Sequence, residues 1–131
     1  MATWDDVRRT ASRLPETVEL SRQGVPAWRV RDKAFAWERP LRRADHEALG
    51  EAAPDGPILC VRVADVGIKQ ALLAGNAAVF LTTPHFDGYP AVLVRLDRIP
   101  VDELDELIVE AWLDRAPNRL AKAYLAEFDG K

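Results

Sequence analysis

Residues 17–38 read TVELSRQGVPAWRVRDKAFAWE. Apolar and polar side chains alternate through TVELSR, AWRV and KAFAWE, which is the period of a strand with one buried face. The alternation breaks at Gln23-Gly24 and again at Arg31-Asp32-Lys33, both rich in turn-forming residues. The segment therefore reads as three short antiparallel strands joined by tight turns, and it fixes a sheet as the organising element of the chain.

Working outward, Thr3 can cap a helix with Asp6 three residues on, and Trp4, Val7, Ala11 and Leu14 fall along one helical stripe that Pro15 ends. Downstream, residues 39–56 hold two proline-bounded polar turns around ADHEALGEAA, read either as one short helix or as an irregular crossover. ILCVRV is a fourth strand, and Asp65 then caps VGIKQALLAG, stopped at Gly75. AAVFLTT and PAVLVRL are two more strands, linked by PHFDGY with its Asp87-Gly88 turn pair. Asp102 caps a helix whose apolar stripe is Leu104, Leu107, Ile108, Ala111 and Trp112, with Glu103, Glu106 and Glu110 toward water. Pro117 opens a last helix carrying Leu120, Tyr124 and Phe128 at four-residue spacing. This order implies an α+β domain, an antiparallel sheet of about six strands with helices packed on one face, spanning residues 1–131 as a single unit.

A chain of 131 residues, 48% hydrophobic and 30% charged, can bury one core without help from a metal or disulfide. Its 18 basic and 21 acidic side chains give a net charge of −3, which argues against the overall basicity of a dedicated nucleic-acid binder. Charge is unevenly spread, however. Arg22, Arg29, Arg31, Lys33, Arg39, Arg42 and Arg43 are opposed within their own stretch only by Asp32 and Glu38, whereas residues 97–110 are acidic. Cys60, the one cysteine, sits inside ILCVRV as a buried thiol. No apolar run approaches the roughly 18 residues a membrane span needs, so a cytoplasmic protein without membrane contact is expected.

His85, Asp87 and Tyr89 gather three chemistry-bearing side chains into one turn. One reading makes His85 a general base oriented by Asp87, with Tyr89 as donor. The other has His85 and Asp87 fix the turn by local hydrogen bonds while Tyr89 packs the next strand's entrance. No activated nucleophile accompanies them: Ser12 and Ser21 lie in no activating motif and Cys60 is mid-strand. His46 and His85 have no ligand spacing, and no GxGxxG, P-loop or HExxH occurs, so no metal or cofactor is expected. Trp4 and Trp112 lie on helical stripes as core; Trp28 and Trp37 read as core or as a stacking platform.

Alternation also assigns sheet faces. With Trp28, Val30, Leu59, Val61, Val63, Val92 and Val94 toward the helices, Arg29, Arg31, Arg62 and Arg95 share the opposite face, joined by Glu19 and Glu38. Together with Arg39, Arg42 and Arg43 these arginines make a candidate patch for phosphate or an acidic protein. The alternative is that arginine and glutamate pair across strands and cover the face with their apolar stems.

TPHFDGYPAVLVRLDRI followed by DELDELIVEAWLDRAPNRLAKAY, with WRVRDKAFAWE and VRVADVGIKQALLAG upstream, resembles the MmcQ/YjbR family of small bacterial proteins. Residues 39–57 depart most from that pattern. The resemblance implies an α+β fold of secretion-chaperone-like, double-wing type and a DNA-binding role. The expectation is a non-enzymatic, monomeric domain that contacts double-stranded DNA weakly through phosphates, at Arg29, Arg31, Arg39, Arg42, Arg43, Arg62 and Arg95, without reading sequence. The second expectation is a protein-interaction or chaperone-like module using the open sheet face, and the third an enzyme using the His85, Asp87 and Tyr89 turn.

Overall fold

The three alternating segments form a meander of β1 (Thr17–Arg22), β2 (Val25–Val30) and β3 (Lys33–Glu38) in a computed structural model that describes residues 2–22 and 24–129. Gln23 of the first turn lies outside the described residues, as do the side chains of Arg22 and Phe128. β4 (Ile58–Arg62), β5 (Phe80–Leu81) and β6 (Ala91–Arg95) complete one antiparallel sheet in the order β1-β2-β3-β4-β6-β5. The expected strand AAVFLTT is thus only two residues long.

The helices are α1 (Trp4–Ser12), α2 (Arg43–Leu49), α3 (Val66–Gly75), α4 (Val101–Arg115) and α5 (Asn118–Asp129). Thr3 caps α1 through the Asp6 backbone N–H while the Asp6 carboxylate accepts from the Thr3 N–H, the reciprocal arrangement its sequence implies. Asp65 caps α3 by accepting from the Ile68 N–H at 2.9 Å. Asp102 does not cap α4: the helix starts one residue earlier, after Pro100, and Asp102 stands in its first turn, where a carboxylate still favours the helix dipole. α5 begins just after Pro117, whose carbonyl accepts from the Ala121 N–H.

The main core lies between one sheet face and the helices. Trp28, Val30, Leu59, Val61, Val92 and Val94 point into it and meet Val7 and Ala11 of α1 and Leu104, Ile108, Ala111 and Trp112 of α4. The indole N–H groups of the two buried tryptophans are both satisfied, Trp28 on the Glu19 carboxylate and Trp112 on the Pro15 carbonyl, each at 3.1 Å.

The far face is covered over only half its width. Ile58, Cys60, Leu81, Ala91 and Leu93 of β4, β5 and β6 are roofed by Leu41 before α2, by Leu49 at the end of α2 and by Phe86 of a 3₁₀ turn, Pro84–Phe86. The half formed by β1, β2 and β3 stays bare, and Val18 (47% exposed) and Leu20 (51%) stand on it. Register moves two charges from where simple alternation puts them. Glu19 lies opposite Trp28 and Glu38 opposite Leu59, so both belong to the helix side. There the Glu19 carboxylate accepts from Arg8 Nε at 3.1 Å.

β3 contains one irregularity with a large effect. Trp28 pairs with Ala36 and Arg29 with Ala34, so Phe35 is the extra residue of a β-bulge. Phe35 and Ala36 are both fully buried on the helix side, and Trp37 is thereby turned to the far face. A one-residue shift inverts every side chain beyond it.

Candidate binding groove on the bare half of the sheet

Where the roofed half of the sheet meets the bare half there is a step, and along it runs an open groove of about 1150 Å³. Its floor is Leu20, Val25, Ala27, Arg29, Ala34 and Trp37; its wall is built from Arg39 to Arg42 and from His85 to Tyr89, which meet where Arg39 lies on the Phe86 ring. Strand geometry explains the floor, since these residues alternate with those that enter the main core. The bulge explains Trp37.

Two buried cations build the wall. Lys69 of α3 is 3% exposed, and its ammonium donates to the Phe86 carbonyl at 2.5 Å and the Tyr89 carbonyl at 3.0 Å. Burial lowers its pKa below the usual lysine value, against the opposing pull of Asp87 and Cys60. Arg39 is 7% exposed, forms an ion pair with Asp45 at 3.1 Å, and lies over the Phe86 ring at 5.4 Å. Burial of Asp45 works toward a higher pKa but is outweighed by the Arg42 N–H at 2.8 Å and by Arg39, so its carboxyl is held below 3.8. Phe86 is thus gripped by its carbonyl from α3 and by its ring from the segment before α2. Gly88, at φ +74°, lets the chain turn back to Tyr89 between the two carbonyls that Lys69 holds.

His85, Asp87 and Tyr89 all border the groove, yet among the described residues no hydrogen bond joins any of them to another. His85 meets the Phe86 ring edge-on, and the Tyr89 hydroxyl accepts from Arg62 Nη1 at 2.6 Å. Cys60 lies beneath, fully buried, its thiol pushed up to about 12 by burial despite the cations Arg39, Lys69 and Arg62 nearby.

The seven arginines of the expected patch do not act together. Arg29, Arg62 and Arg95 do share the far face, each with a buried Nε that lacks a partner among the described residues, so their stems lie along the sheet. Arg62 is held by Tyr89, and Arg95 reaches the exposed Ala52 carbonyl at 3.2 Å. Arg31 is not on that face: β2 ends at Val30, and Arg31 occupies the turn at φ +58° and pairs with Glu16 at 2.9 Å. Arg39 is enclosed with Asp45, and Arg43 pairs with Glu47 at 3.4 Å on the outer side of α2. Among the described residues, Arg29 and Arg42 are the two of the seven that line the groove with their charge outside an ion pair.

Lys69 and Asp45 were not among the expected site residues. The signal for Lys69 was present, since it falls at the i, i+3, i+4 spacing with Leu72 and Leu73, on the stripe a helix buries.

Over residues 12–113 the sequence matches the family model described as YjbR. The chain belongs to the YjbR family. It is similar to the uncharacterized protein Rv2570 of Mycobacterium tuberculosis H37Rv, 57% identical over 129 residues that cover 96% of this chain and 98% of the relative. The uncharacterized protein Mb2600 of Mycobacterium bovis matches to the same extent. A crystal structure of Deinococcus radiodurans protein DR2400, with the domain DUF419, superposes at a TM-score of 0.65 with 20% identity, covering 86% of this chain and 78% of that one. At that identity the likeness concerns the YjbR fold alone.

Proposed function

We propose that this YjbR-family protein is a non-enzymatic binding domain that receives an extended segment of a partner protein in the groove. The observation that carries the reading is Trp37, turned onto the bare face by a bulge and set beside Tyr89, Leu20 and Arg29. Bulges that re-aim a side chain occur preferentially at sites of function, and tryptophan, tyrosine and arginine are the residues that dominate protein interfaces; here Tyr89 is exposed, while Trp37 and Arg29 are half-buried. The groove is larger and more open than the roughly 300–1,000 Å³ of a small-molecule cleft, which suits a polymer chain. Arg29 and Arg42 select acidic side chains in the ligand, and the apolar floor selects aromatic or aliphatic ones. Against an enzymatic role stand the separation of His85, Asp87 and Tyr89 in hydrogen bonding and a Cys60 thiol far from its nucleophilic form.

A nucleic-acid reading comes second, supported by Arg29, Arg62 and Arg95 sharing a face with Arg42 at the groove's rim. Selection of a random dodecapeptide library on the immobilised protein, counter-selected on Trp37→Ala, separates the two. Peptides with alternating apolar and acidic residues are expected, binding the variant about 30-fold more weakly, as loss of an interface anchor worth about 2 kcal/mol implies. A labelled duplex titrated in parallel tests the other reading. Four arginines on phosphates would give a log-log salt slope near −3.6. Saturable duplex binding with that slope, and no peptide sensitive to Trp37→Ala, would replace the protein partner by DNA.

A further inference from the structure

We infer that β1 is a homodimerisation edge, on which a second copy of this chain adds its own β1 in antiparallel register about Glu19. This inference does not rest on the groove reading. β1 is the outer strand of the sheet and pairs one to one with β2 along its whole length, without a bulge. Its hydrogen-bonding parity follows from the strand's entrance. The Arg31 N–H donates to the Glu16 carbonyl at 3.3 Å, and Glu16 stands opposite Arg31 in the same register that sets Thr17 opposite Val30. In an antiparallel pair bonded and non-bonded positions alternate, so residues 16, 18, 20 and 22 bond inward to β2. Pro26 agrees, because it lies opposite Ser21, at a position that asks it for no N–H toward β1. The backbone groups of Thr17, Glu19 and Ser21 therefore point outward.

That outward set is symmetric about Glu19. A twofold axis through Glu19, perpendicular to the sheet, pairs Glu19 with Glu19 of the second copy and Thr17 with its Ser21. Every outward donor then meets an acceptor. On the far face the same operation places Val18 beside Leu20 of the second copy, and Leu20 beside its Val18. Among the described residues those two side chains are the most exposed large apolar groups, at 47% and 51%. One symmetric contact thus covers four exposed apolar side chains and completes the edge. The two central carboxylates would repel if bare, but each is already held on the helix side by Arg8 Nε and by the Trp28 indole. Leu20 also lines the groove, so pairing joins the two grooves into one floor across the axis. An interface built on one strand pair is small, and dissociation in the micromolar range or weaker is expected.

Sedimentation equilibrium over a wide concentration range, with cysteine cross-linking alongside, tests the inference. Cys60 is buried and does not compete as a thiol. Under mild oxidation Glu19→Cys is expected to form a covalent dimer, its Cα atoms about 5.5 Å apart across the axis. An equimolar mixture of Val18→Cys and Leu20→Cys should link as the mixed dimer, which leaves Glu19 intact. Thr17→Cys alone should not link to itself, since its two copies lie four residues apart in register. Leu20→Glu, shown folded by circular dichroism, is expected to weaken association about tenfold or more. A chain that remains monomeric at the highest attainable concentration, or cysteine variants that link without regard to register, would overturn the inference. The edge would then be left for a peptide from another protein.

Discussion

Lys69 shows how much one side chain can decide in this fold. Its ammonium is enclosed, and the two carbonyls it satisfies belong to the first and last residues of the stretch Phe86 to Tyr89. Replacing it with methionine keeps the stem but removes the charged donor from both carbonyls, each of which keeps one backbone partner, the Tyr89 N–H on Phe86 at 3.0 Å and the Ala91 N–H on Tyr89 at 2.8 Å, so what is lost is a pair of hydrogen bonds from an ion, about 1.5–3 kcal/mol each. Part of that loss is offset because the variant no longer buries an ammonium. Lys69→Met is therefore expected to fold with a net loss of about 1–3 kcal/mol in urea denaturation, and with the groove wall loosened above Cys60. A thiol reagent that spares native Cys60 at pH 8 should label it faster in the variant. Unchanged stability and unchanged labelling would mean that the turn is held by its own local bonds. Asp87 and Gly88 made the turn itself legible in the sequence, while its fastening to α3 was visible only as a lysine on an apolar stripe.

At the scale of elements, α2 depends on a pair of charges rather than on an apolar face. It is seven residues long, too short to be stable alone, and its buried residue is Asp45. Asp45 caps the Arg42 N–H and neutralises Arg39, which in turn lies on Phe86. Asp45→Asn retains an acceptor for the Arg42 N–H but leaves Arg39 buried without a counter-charge, a loss of about 3 kcal/mol or more. The pH dependence follows from the direction of the shift. The Asp45 carboxyl titrates below 3.8 in the folded chain, so its contribution is fully present above pH 3.8 and fades as the pH falls through the lower, folded value. The stability difference between wild type and Asp45→Asn, measured by chemical denaturation, should be constant from neutral pH to about pH 4 and shrink below it. A gap that persists under strong acid would show that the asparagine acts by shape and not by charge. Strands β1 to β3 were readable from alternation because a half-buried sheet face imposes it. α2 was not, because ion pairing leaves no periodic trace. The bulge at Phe35 escaped for a related reason: KAFAWE alternates without a break, and only the packing of Phe35 and Ala36 together beneath α4 decides where the period shifts.

Over the whole molecule, the sheet divides into a half covered on both faces and a half covered on one, and this division should govern which parts open first. Every residue from Ile58 to Val61 and from Ala91 to Val94 is buried, whereas β1 carries its two apolar side chains in water. That contrast is written in the sequence as uninterrupted ILCV and AVLV against alternating TVELSR, since a strand buried on both faces needs no polar positions. Local opening costs most where most contacts are broken, so native-state hydrogen exchange should be slowest in β4, β6 and the buried face of α4, and faster in β1 and in residues 39–57. Within β1 the order should follow bonding parity. The amides of Val18 and Leu20, bonded to β2, are expected to exchange more slowly than those of Glu19 and Ser21, which point outward. If a second copy pairs with this edge, the outward amides should gain protection as concentration rises while those of β4 do not change. Outward amides already protected in dilute solution, with no dependence on concentration, would mean that the edge is closed within the single chain. β1 would then be a covered strand, and the exposed pair Val18 and Leu20 would have to be explained by the groove alone.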